Sequence, residues 1–236
     1  MVTCRVNAIE KLNEDTRRVE LALPADAGTF QPGQYLELLL PHKNCPFSIA
    51  SAPNDRGTLE LHIRPTPGSG DSEEIEAWLD SSPASVDVAY PRGDSYLTER
   101  PAGPLVLLAA STGITQMNSI LESLLKDGLA VPVYLYWGVV ADRDLYINER
   151  YEALAASDEN FHYVPVVSEP ETSPDWTGRT GLVGDIALSD LEDVSNITVF
   201  VSGGPGMVYA CLDAFVERGM PEGNMSSDVF AYAPRK

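Results

Sequence analysis

Two glycine-containing turns in this chain could hold phosphate groups. Ser111-Thr112-Gly113 follows the apolar run Leu105–Ala110, and Ser202-Gly203-Gly204-Pro205-Gly206 follows the run at residues 197–201. Each run has the composition of a buried parallel strand, and each turn precedes a helical pattern. Ligands of open parallel sheets bind beyond the carboxyl ends of the strands, where a helix N-terminus offers free N–H groups. The two turns therefore predict one nucleotide crevice, although either turn alone could be simple strand-to-helix geometry.

The C-terminal half alternates apolar runs with helical patterns, which is typical of a parallel sheet covered by helices on both faces. The predicted strands are Leu105–Ala110, residues 131–137, Phe161–Val167, residues 197–201 and residues 227–230. The predicted helices begin after Gly113 and include residues 145–156 and 207–218. The turns contain no GxGxxG motif, so an ordinary Rossmann dehydrogenase is a poor match.

The N-terminal half has short β-like runs separated by turns, and this spacing favours a closed β-barrel. The predicted strands are residues 4–9, 18–23, 35–40, 47–50, 58–64 and 85–89. One helix interrupts them, because Ile75, Trp78 and Leu79 share a helical face. Residues 98–104 contain two prolines and a glycine and are predicted to form a linker. We therefore expect two domains, residues 1–98 and 103–236.

The charge balance restricts the partners. Sixteen Lys and Arg residues against 35 Asp and Glu residues give a formal net charge of −19 at pH 7. A surface this acidic repels nucleic acid and anionic lipid, so neither is expected as a partner. It also repels phosphate at long range, so a nucleotide site must supply local positive potential.

The cysteine and histidine positions do not indicate a metal site. Cys4, Cys45 and Cys211 are widely separated, and the three histidines have no ligand spacing. This pattern excludes a disulfide framework, a CxxC zinc site and a four-cysteine iron–sulfur cluster.

The N-terminus lacks a secretory signal, and no stretch approaches 18 continuous apolar residues. A cytoplasmic protein without a metal is the expectation.

Seven short motifs follow one another along the chain. They are FQPGQY from Phe30, PFSIAS from Pro46, LELHI from Leu59, STGI from Ser111, YLYWG from Tyr134, WTGRTG from Trp176 and SDVFAY from Ser227. In this order they resemble the ferredoxin-NADP reductase superfamily over nearly the whole chain. The resemblance is closest to its small NAD(P)H:flavin oxidoreductases, including the flavin reductases that accompany bacterial luciferase.

The resemblance implies two parts, an N-terminal antiparallel Greek-key β-barrel that binds flavin and a C-terminal α/β domain with a parallel sheet that binds NAD(P). It implies an enzyme in which NADH or NADPH delivers a hydride from nicotinamide C4 to flavin N5. The flavin, which is FMN, FAD or riboflavin, is implied to be a loosely bound substrate or cofactor. Reduced flavin would then pass to an acceptor such as a monooxygenase or luciferase.

On the flavin side, the resemblance assigns positions on two neighbouring strands. Ser48 matches a hydroxyl that hydrogen-bonds near flavin N5, which gives it a catalytic role; outside this motif it would be interpreted as a strand hydroxyl satisfied by the backbone. His62 alone would more often be a packed or surface histidine. The flavin-binding positions are Cys45, Pro46, Phe47, Ser48, Ile49, His62, Ile63 and Arg64.

On the nucleotide side, the resemblance assigns both turns and the end of one strand. Thr112 has a catalytic role beside the nicotinamide. Phe230 also has a catalytic role, as the aromatic residue that covers the flavin, and Tyr232 is the alternative. Aromatic stacking of this kind contributes about 1 kcal/mol beyond burial. The aromatic run at Trp137 is equally typical of a strand core. The cofactor-binding positions are Thr112, Gly113, Ile114, Trp137, Gly138, Gly203, Gly204, Pro205, Met207 and Phe230.

Four departures from the superfamily pattern bear on binding. Cys45 replaces an arginine that pairs with the flavin, a contact worth about 1.5–3 kcal/mol, so weaker flavin binding is expected. Ala110-Ser111 replaces paired glycines, Gln116 replaces a proline, and Val140 replaces an arginine near the adenosine. No basic cluster lies beside Val140 in the sequence, which slightly favours NADH and leaves NADPH open.

Two other functions stay open. A reductase subunit that retains FAD could pass single electrons to a separate iron–sulfur protein. The altered turns could instead leave a non-catalytic module that binds flavin and nucleotide. The sequence does not decide the preferred flavin, the electron acceptor, or the choice between monomer and homodimer.

Overall fold

The computed structural model describes residues 1–54, 56–65 and 70–235. Residues 55, 66–69 and 236, which fall within the two expected domains, lie outside the described part. The described chain forms two sheets, one in each half.

The N-terminal half forms a six-stranded antiparallel sheet that curls into a barrel. Its strands lie in the order β4-β3-β6-β1-β2-β5. The N–H of Ala50, just after β4, donates to the carbonyl of Glu60 in β5 at 2.7 Å, so the two edges of the sheet meet. The elements are β1 (Val2–Lys11), β2 (Arg17–Ala22), β3 (Tyr35–Leu39), β4 (Asn44–Ser48), β5 (Thr58–Ile63), α1 (Gly70–Asp80) and β6 (Ser85–Arg92).

Alternating side chains fill the barrel. In β3, Leu36 and Leu38 are fully buried, whereas Tyr35 and Glu37 are only half-buried. The buried leucines join aliphatic side chains of β2, β5 and β6 in one core. Because successive strand residues point to opposite faces, the β3-β4 hairpin also presents an outer face to the rest of the chain.

The C-terminal half forms a six-stranded parallel sheet in the order β10-β9-β8-β7-β11-β12. Its elements are β7 (Leu105–Ala110), α2 (Ile114–Leu125), β8 (Val133–Val139), α3 (Asn148–Ser157), β9 (Phe161–Val167), β10 (Arg179–Thr180), α4 (Val183–Asp190), β11 (Thr198–Ser202), α5 (Pro205–Glu217), β12 (Met225–Ser226) and α6 (Val229–Tyr232). None of the described helices combines the length and hydropathy of a membrane-spanning segment.

Strand β7 shows why the run Leu105–Ala110 is continuously apolar. Leu105 and Leu107 pack in one core with α2 and α3, while Val106 and Leu108 pack in a second core with α4 and α5. The sheet is therefore covered on both faces. The prediction of an antiparallel barrel followed by a parallel α/β domain is confirmed.

The end of the chain differs from the prediction. Residues 227–230 do not form a strand, because β12 ends at Ser226 and α6 follows. The Phe230 N–H donates to the Ser227 carbonyl at 3.3 Å, and the Tyr232 N–H donates to the Asp228 carbonyl at 3.2 Å. The short apolar stretch at residues 229–231 fits a short edge strand and a single helical turn equally well. Strand β10 and helix α4 were also missed.

Helix α2 joins the two halves through its polar side chains. Asn118 donates to the carbonyl of Ala50 at 2.7 Å, and Ser119 donates to the carbonyl of Ser51 at 2.8 Å. Both acceptors are main-chain atoms of the segment that follows β4. The helix that begins at the first nucleotide turn is thus fixed directly to the predicted flavin strand.

Candidate active site

The outer face of the β3-β4 hairpin forms one wall of a cavity. Ser48 pairs with Tyr35, and Pro46 pairs with Glu37, across the hairpin. Directly paired residues share a face, so these four side chains project away from the barrel core. Phe47 lines the same cavity.

The α/β domain and the C-terminal segment supply the other walls. Gln116, Ser202, Gly203, Asp228 and Tyr232 line the same cavity, which has a volume of about 480 Å³. That volume is within the roughly 300–1,000 Å³ of small-molecule sites. In the described part of the chain, no hydrogen bond engages the serine hydroxyl at the end of β4. The predicted flavin side and one predicted nucleotide turn therefore meet in one cavity.

Cys45 lies away from this cavity. It pairs with Leu38 and is 5% exposed in the barrel core, on the opposite face of β4 from Ser48. Ile49 and Ile63, which were also assigned to the flavin, are fully buried in the same core. The structure gives these three side chains a packing role, and direct flavin contact in the PFSIAS motif stays a prediction for the cavity-lining positions.

The C-terminal aromatic residue at the cavity is Tyr232 and not Phe230. Phe230 packs against Tyr209 of α5, with ring centroids 5.6 Å apart, and lines a separate cavity. Tyr232 is 66% exposed and lines the cavity of Ser48. In a helix, residues two apart project about 200° apart, whereas in the predicted strand they would share a face.

Asp228 and Gln116 meet at the base of the cavity. The Gln116 side-chain amide donates to the Asp228 carboxylate at 3.4 Å and to the carbonyls of Gly33 and Ser95 at 3.0 and 2.9 Å. Burial raises the pKa of Asp228, and this effect exceeds the lowering by the hydrogen bonds that its carboxylate accepts, including one from the Ser95 N–H. The cavity thus contains a carboxyl group that takes up a proton more readily than usual.

We expect the stability effect of Asp228→Asn to grow with pH. A carboxyl group whose pKa is raised by folding stabilises the protein when protonated, and this contribution is lost as pH rises through the folded pKa. Asparagine does not titrate, so the melting temperature of the variant minus that of the parent should increase between about pH 4 and about pH 7. Thermal unfolding across that range measures the difference. A flat or falling difference would contradict the assignment.

His62 is buried at the domain boundary, outside the cavity. It is 4% exposed, with Nε2 2.7 Å from Glu60 Oε1 and Nδ1 3.2 Å from the Tyr146 hydroxyl. Burial raises the pKa of Tyr146, so its hydroxyl stays protonated and can donate. These contacts join β5 to the segment that follows β8.

Arg64 holds the first nucleotide turn. Its Nη1 donates to Ser111 Oγ at 3.2 Å, and its Nη2 lies 3.2 Å from the Asp144 carboxylate. Ser111 has a φ of +51°, in the left-handed region, which costs a residue other than glycine about 1–2 kcal/mol. Trp137, fully buried, donates from Nε1 to the Ser111 carbonyl at 2.9 Å. Two side chains therefore fix a backbone position where the superfamily pattern has glycine.

Two substitutions at Ser111 separate the strain from the hydrogen bond. Ser111→Ala loses the Arg64 contact but keeps the cost of the left-handed φ. Ser111→Gly loses the same contact and also removes that cost, because glycine adopts this φ freely. We expect the alanine variant to be less stable than the glycine variant by about 1 kcal/mol. Its KM for NAD(P)H should also be the higher of the two. Thermal unfolding and steady-state kinetics measure both quantities, and equal behaviour of the two variants would contradict a strained turn.

The two nucleotide turns are in close contact. A Cβ atom on Gly113 would lie 2.3 Å from the carbonyl oxygen of Ser202, and one on Gly203 would lie 2.8 Å from Met207 Sδ. Gly138, at the end of β8, is similarly close to α4. At Gly113 and Gly138 a side chain would force the elements apart, whereas at Gly203 it would chiefly displace the flexible end of the Met207 side chain.

The other assigned residues lie in or next to the two turns. Thr112 is half-buried, and its carbonyl accepts the Thr115 hydroxyl at 2.8 Å. Ile114 is fully buried at the start of α2, and Gly204 and Pro205 form the N-terminus of α5. Of the nucleotide-side assignments, Gly203 lines the cavity of Ser48.

Seven residues that line the cavity were missing from the assigned positions, namely Tyr35, Glu37, Gln116, Ser202, Ser227, Asp228 and Val229. Strand alternation relative to Ser48 would have indicated Tyr35 and Glu37 once the hairpin was assumed. Asp228 lies inside the SDVFAY motif, in which only Phe230 was assigned to the cofactor. One feature of the sequence pointed to Gln116 as a site residue, namely that it replaces a proline of the superfamily pattern.

Comparisons with known proteins agree with this geometry. The oxidoreductase FAD-binding domain matches residues 3–93, and the oxidoreductase NAD-binding domain matches residues 107–213. A probable flavin reductase of Photobacterium leiognathi is 34% identical over 234 residues, which cover 97% of this chain and 98% of that protein. An NAD(P)H-flavin reductase of Vibrio harveyi is 31% identical over 238 residues, which cover 98% of this chain and 99% of that protein.

A solved structure extends the comparison. The cytochrome P450 reductase GcoB of Amycolatopsis matches with a TM-score of 0.84 and 31% identity, over 95% of this chain and 68% of that chain. The fold and the site thus define a two-domain oxidoreductase, with a flavin-binding barrel followed by an NAD-binding α/β domain. The chain belongs to the ferredoxin reductase family, as its motifs indicate, and flavin reductases are among the relatives that it matches over nearly their whole length.

Proposed function

We propose that this protein is an NAD(P)H:flavin oxidoreductase that reduces a flavin and releases it to an acceptor. One observation carries the proposal: Ser48 of the barrel and Gly203 of a nucleotide turn line the same cavity. A flavin bound by the hairpin and a nicotinamide bound by the turn would share that space. A flavin-dependent monooxygenase or luciferase as acceptor, a cytoplasmic location, and a monomer or homodimer belong to the same proposal.

The chain's own residues orient the two rings. When bound, flavin and nicotinamide supply the redox chemistry, with hydride passing from nicotinamide C4 to flavin N5. The available Ser48 hydroxyl would donate a hydrogen bond to a flavin ring bound against the hairpin. Tyr232 lines the cavity and would cover a bound flavin in place of Phe230, and Thr112 would contact the nicotinamide from the first turn. Holding both reactants in one enclosed site lowers the entropic part of the barrier.

The charge of the cavity supports a flavin that leaves. The described lining residues include the carboxylates of Glu37 and Asp228 and no Lys, Arg or His. A flavin phosphate there would lack a charge-assisted hydrogen bond, which typically contributes about 1.5–3 kcal/mol. Binding would depend on the isoalloxazine ring, which suits a flavin that is a substrate.

Steady-state oxidation of NADH and NADPH with riboflavin, FMN and FAD tests the proposal. The purified protein should be nearly colourless and should oxidise NAD(P)H only when flavin is added. Flavin retained after gel filtration is measured on the same preparation. No oxidation at saturating flavin, together with ligand-induced thermal shifts, would contradict the proposal and indicate a non-catalytic binding module.

The similarity to a cytochrome P450 reductase favours one second candidate, a reductase that retains FAD and passes electrons singly to a protein partner. A yellow protein after gel filtration would support it. Reduction of a one-electron acceptor at the same rate with and without added flavin would also support this second candidate.

A further inference from the structure

The Tyr232 side chain reaches the cavity of Ser48 without a hydrogen bond to hold it there. It is 66% exposed, and within the described chain its hydroxyl has no hydrogen-bond partner. The position of its ring is therefore set by the main chain of α6. The first residue of α6, Val229, is 3% exposed in the core of the α/β domain. Packing thus fixes the start of this helical turn, whereas Tyr232 lies at its other end.

Three side chains hold the main chain just beyond Tyr232. Arg235 forms a bidentate ion pair with Asp213 of α5, with Nη1–Oδ1 and Nη2–Oδ2 distances of 2.6 and 2.7 Å. The same guanidinium lies over the Tyr209 ring, with its Cζ 4.2 Å from the ring centroid. We call these three side chains, Tyr209, Asp213 and Arg235, the clasp.

The Tyr209 hydroxyl connects the clasp to the main chain at two points. It donates to the Ala233 carbonyl at 3.0 Å and accepts the Arg235 N–H at 3.0 Å. Tyr209 and Asp213 are four residues apart in α5, so they lie on one face of that helix. The clasp therefore attaches the residues that directly follow Tyr232 to the helix that begins at the second nucleotide turn.

The effect of the clasp is expected to be local. Its ion pair is exposed, with 50% of the Arg235 side chain and 61% of the Asp213 side chain accessible, and a single exposed ion pair contributes little to global stability. Bidentate geometry, the stacked Tyr209 ring and two main-chain hydrogen bonds nevertheless converge on the same short segment. Ordering one flexible side chain on binding typically lowers affinity by about two- to tenfold, so a ring ordered in advance strengthens binding.

We propose that the clasp positions Tyr232 for flavin binding, with Tyr209 and Arg235 as positioning residues. This inference rests on the proposed function, because flavin is the ligand that Tyr232 would cover. Held at the cavity in advance, the ring does not have to be ordered when flavin binds. The flavin is therefore bound more tightly than a mobile Tyr232 would allow.

Equilibrium dialysis against riboflavin, without NADH or NADPH, tests the inference. Arg235→Gln removes the ion pair and the charge over the ring, whereas Tyr209→Phe removes two main-chain hydrogen bonds and keeps the ring against Phe230. We expect each variant to weaken riboflavin binding about three- to tenfold, because Tyr232 must then be ordered on binding. Riboflavin carries no phosphate, so the changed protein charge does not act on it directly.

A Tyr232→Ala background distinguishes positioning from a purely structural role. Tyr232→Ala alone should weaken riboflavin binding by at least the same factor, and Arg235→Gln should then have no further effect. An equal effect of Arg235→Gln with and without the Tyr232 ring would overturn the inference, because a structural role does not depend on that ring. Unchanged riboflavin affinity in both Arg235→Gln and Tyr209→Phe would overturn it as well.

Two further variants serve as controls. Asp213→Asn breaks the same ion pair from α5 and should reproduce the effect of Arg235→Gln. Arg179→Gln also removes an exposed arginine from an ion pair, with Asp190, and lies outside the cavity lining, so its riboflavin affinity should match that of the parent. Equal losses in Arg179→Gln and Arg235→Gln would indicate a general effect of charge and would overturn the inference.

The outcomes also separate this inference from the proposed function. Riboflavin binding that depends on the clasp, without oxidation of NADH or NADPH, would keep the inference and contradict the flavin reductase activity. Flavin-dependent oxidation of NAD(P)H, with parental riboflavin affinity in the clasp variants, would keep the activity and overturn the inference.

Discussion

Ser48→Ala is expected to lower kcat/KM for both substrates by about 10- to 100-fold, because a hydrogen bond aimed at a reacting centre contributes about 1.5–3 kcal/mol. The hydroxyl lines the cavity and makes no hydrogen bond with the described part of the chain, so its removal leaves no protein group unpaired. The loss should therefore fall on activity and not on stability. Steady-state kinetics with added flavin and thermal unfolding measure the two effects.

Two controls accompany this prediction. Ser48→Thr keeps a hydroxyl at the same position and should recover a large part of the activity. Ser51→Ala removes a nearby hydroxyl that accepts the Glu60 N–H at 3.1 Å and lies outside the cavity lining, so it should alter stability more than activity. Unchanged kcat/KM in Ser48→Ala would remove the role proposed for Ser48.

Gly113→Ala is expected to lower kcat/KM by about 100-fold, because a displacement of roughly 1 Å at a positioning element has an effect of that size. Gly113 has an ordinary helical backbone, with φ of −56°, so alanine would not be conformationally strained there. Its Cβ would nevertheless lie 2.3 Å from a backbone oxygen of Ser202, and the two nucleotide turns would have to separate. Overpacking of this kind also costs about 1–3 kcal/mol of stability.

Gly206→Ala is the matched control for this second prediction. Gly206 lies in the first turn of α5, and nothing lies within 4 Å of a Cβ placed there. Alanine should stabilise that helix by about 0.5–1 kcal/mol and preserve the contact between the turns. Thermal unfolding and the KM for NAD(P)H distinguish the two substitutions, and a Gly113→Ala enzyme with parental kinetics would contradict the close approach of the turns.

Features with a local signal were predictable from the sequence. Strand β7 is buried on both sides, and a continuous apolar run marks such a strand whatever surrounds it. The barrel strands alternate, and turn residues delimit them. Helix α4 was missed because it has eight residues, and β10 because it has two, so neither gives a repeating pattern.

The cavity could be predicted only in part, because its lining depends on pairing and on helix rotation. Cys45 was placed beside the flavin for its position in a motif, yet strand alternation turns it into the barrel core. Phe230 was preferred to Tyr232 for its position in the SDVFAY motif, and in the helical turn that forms there Tyr232 is the ring that lines the cavity. Both differences concern side-chain direction within the assigned segment, and flavin contact by these segments stays a prediction.

Helix α2 binds the barrel through main-chain carbonyls, including those of Ala50 and Ser51. Such contacts depend on the path of the barrel backbone and not on which side chains the barrel carries. Barrel side chains that face α2 can therefore diverge while these contacts survive, whereas the side chains of His62 and Arg64 hold the α/β domain directly and cannot. A barrel from another family member that keeps these two residues should dock onto this α/β domain, which makes the choice of flavin and the choice of hydride donor traits that evolution or recombination can exchange independently.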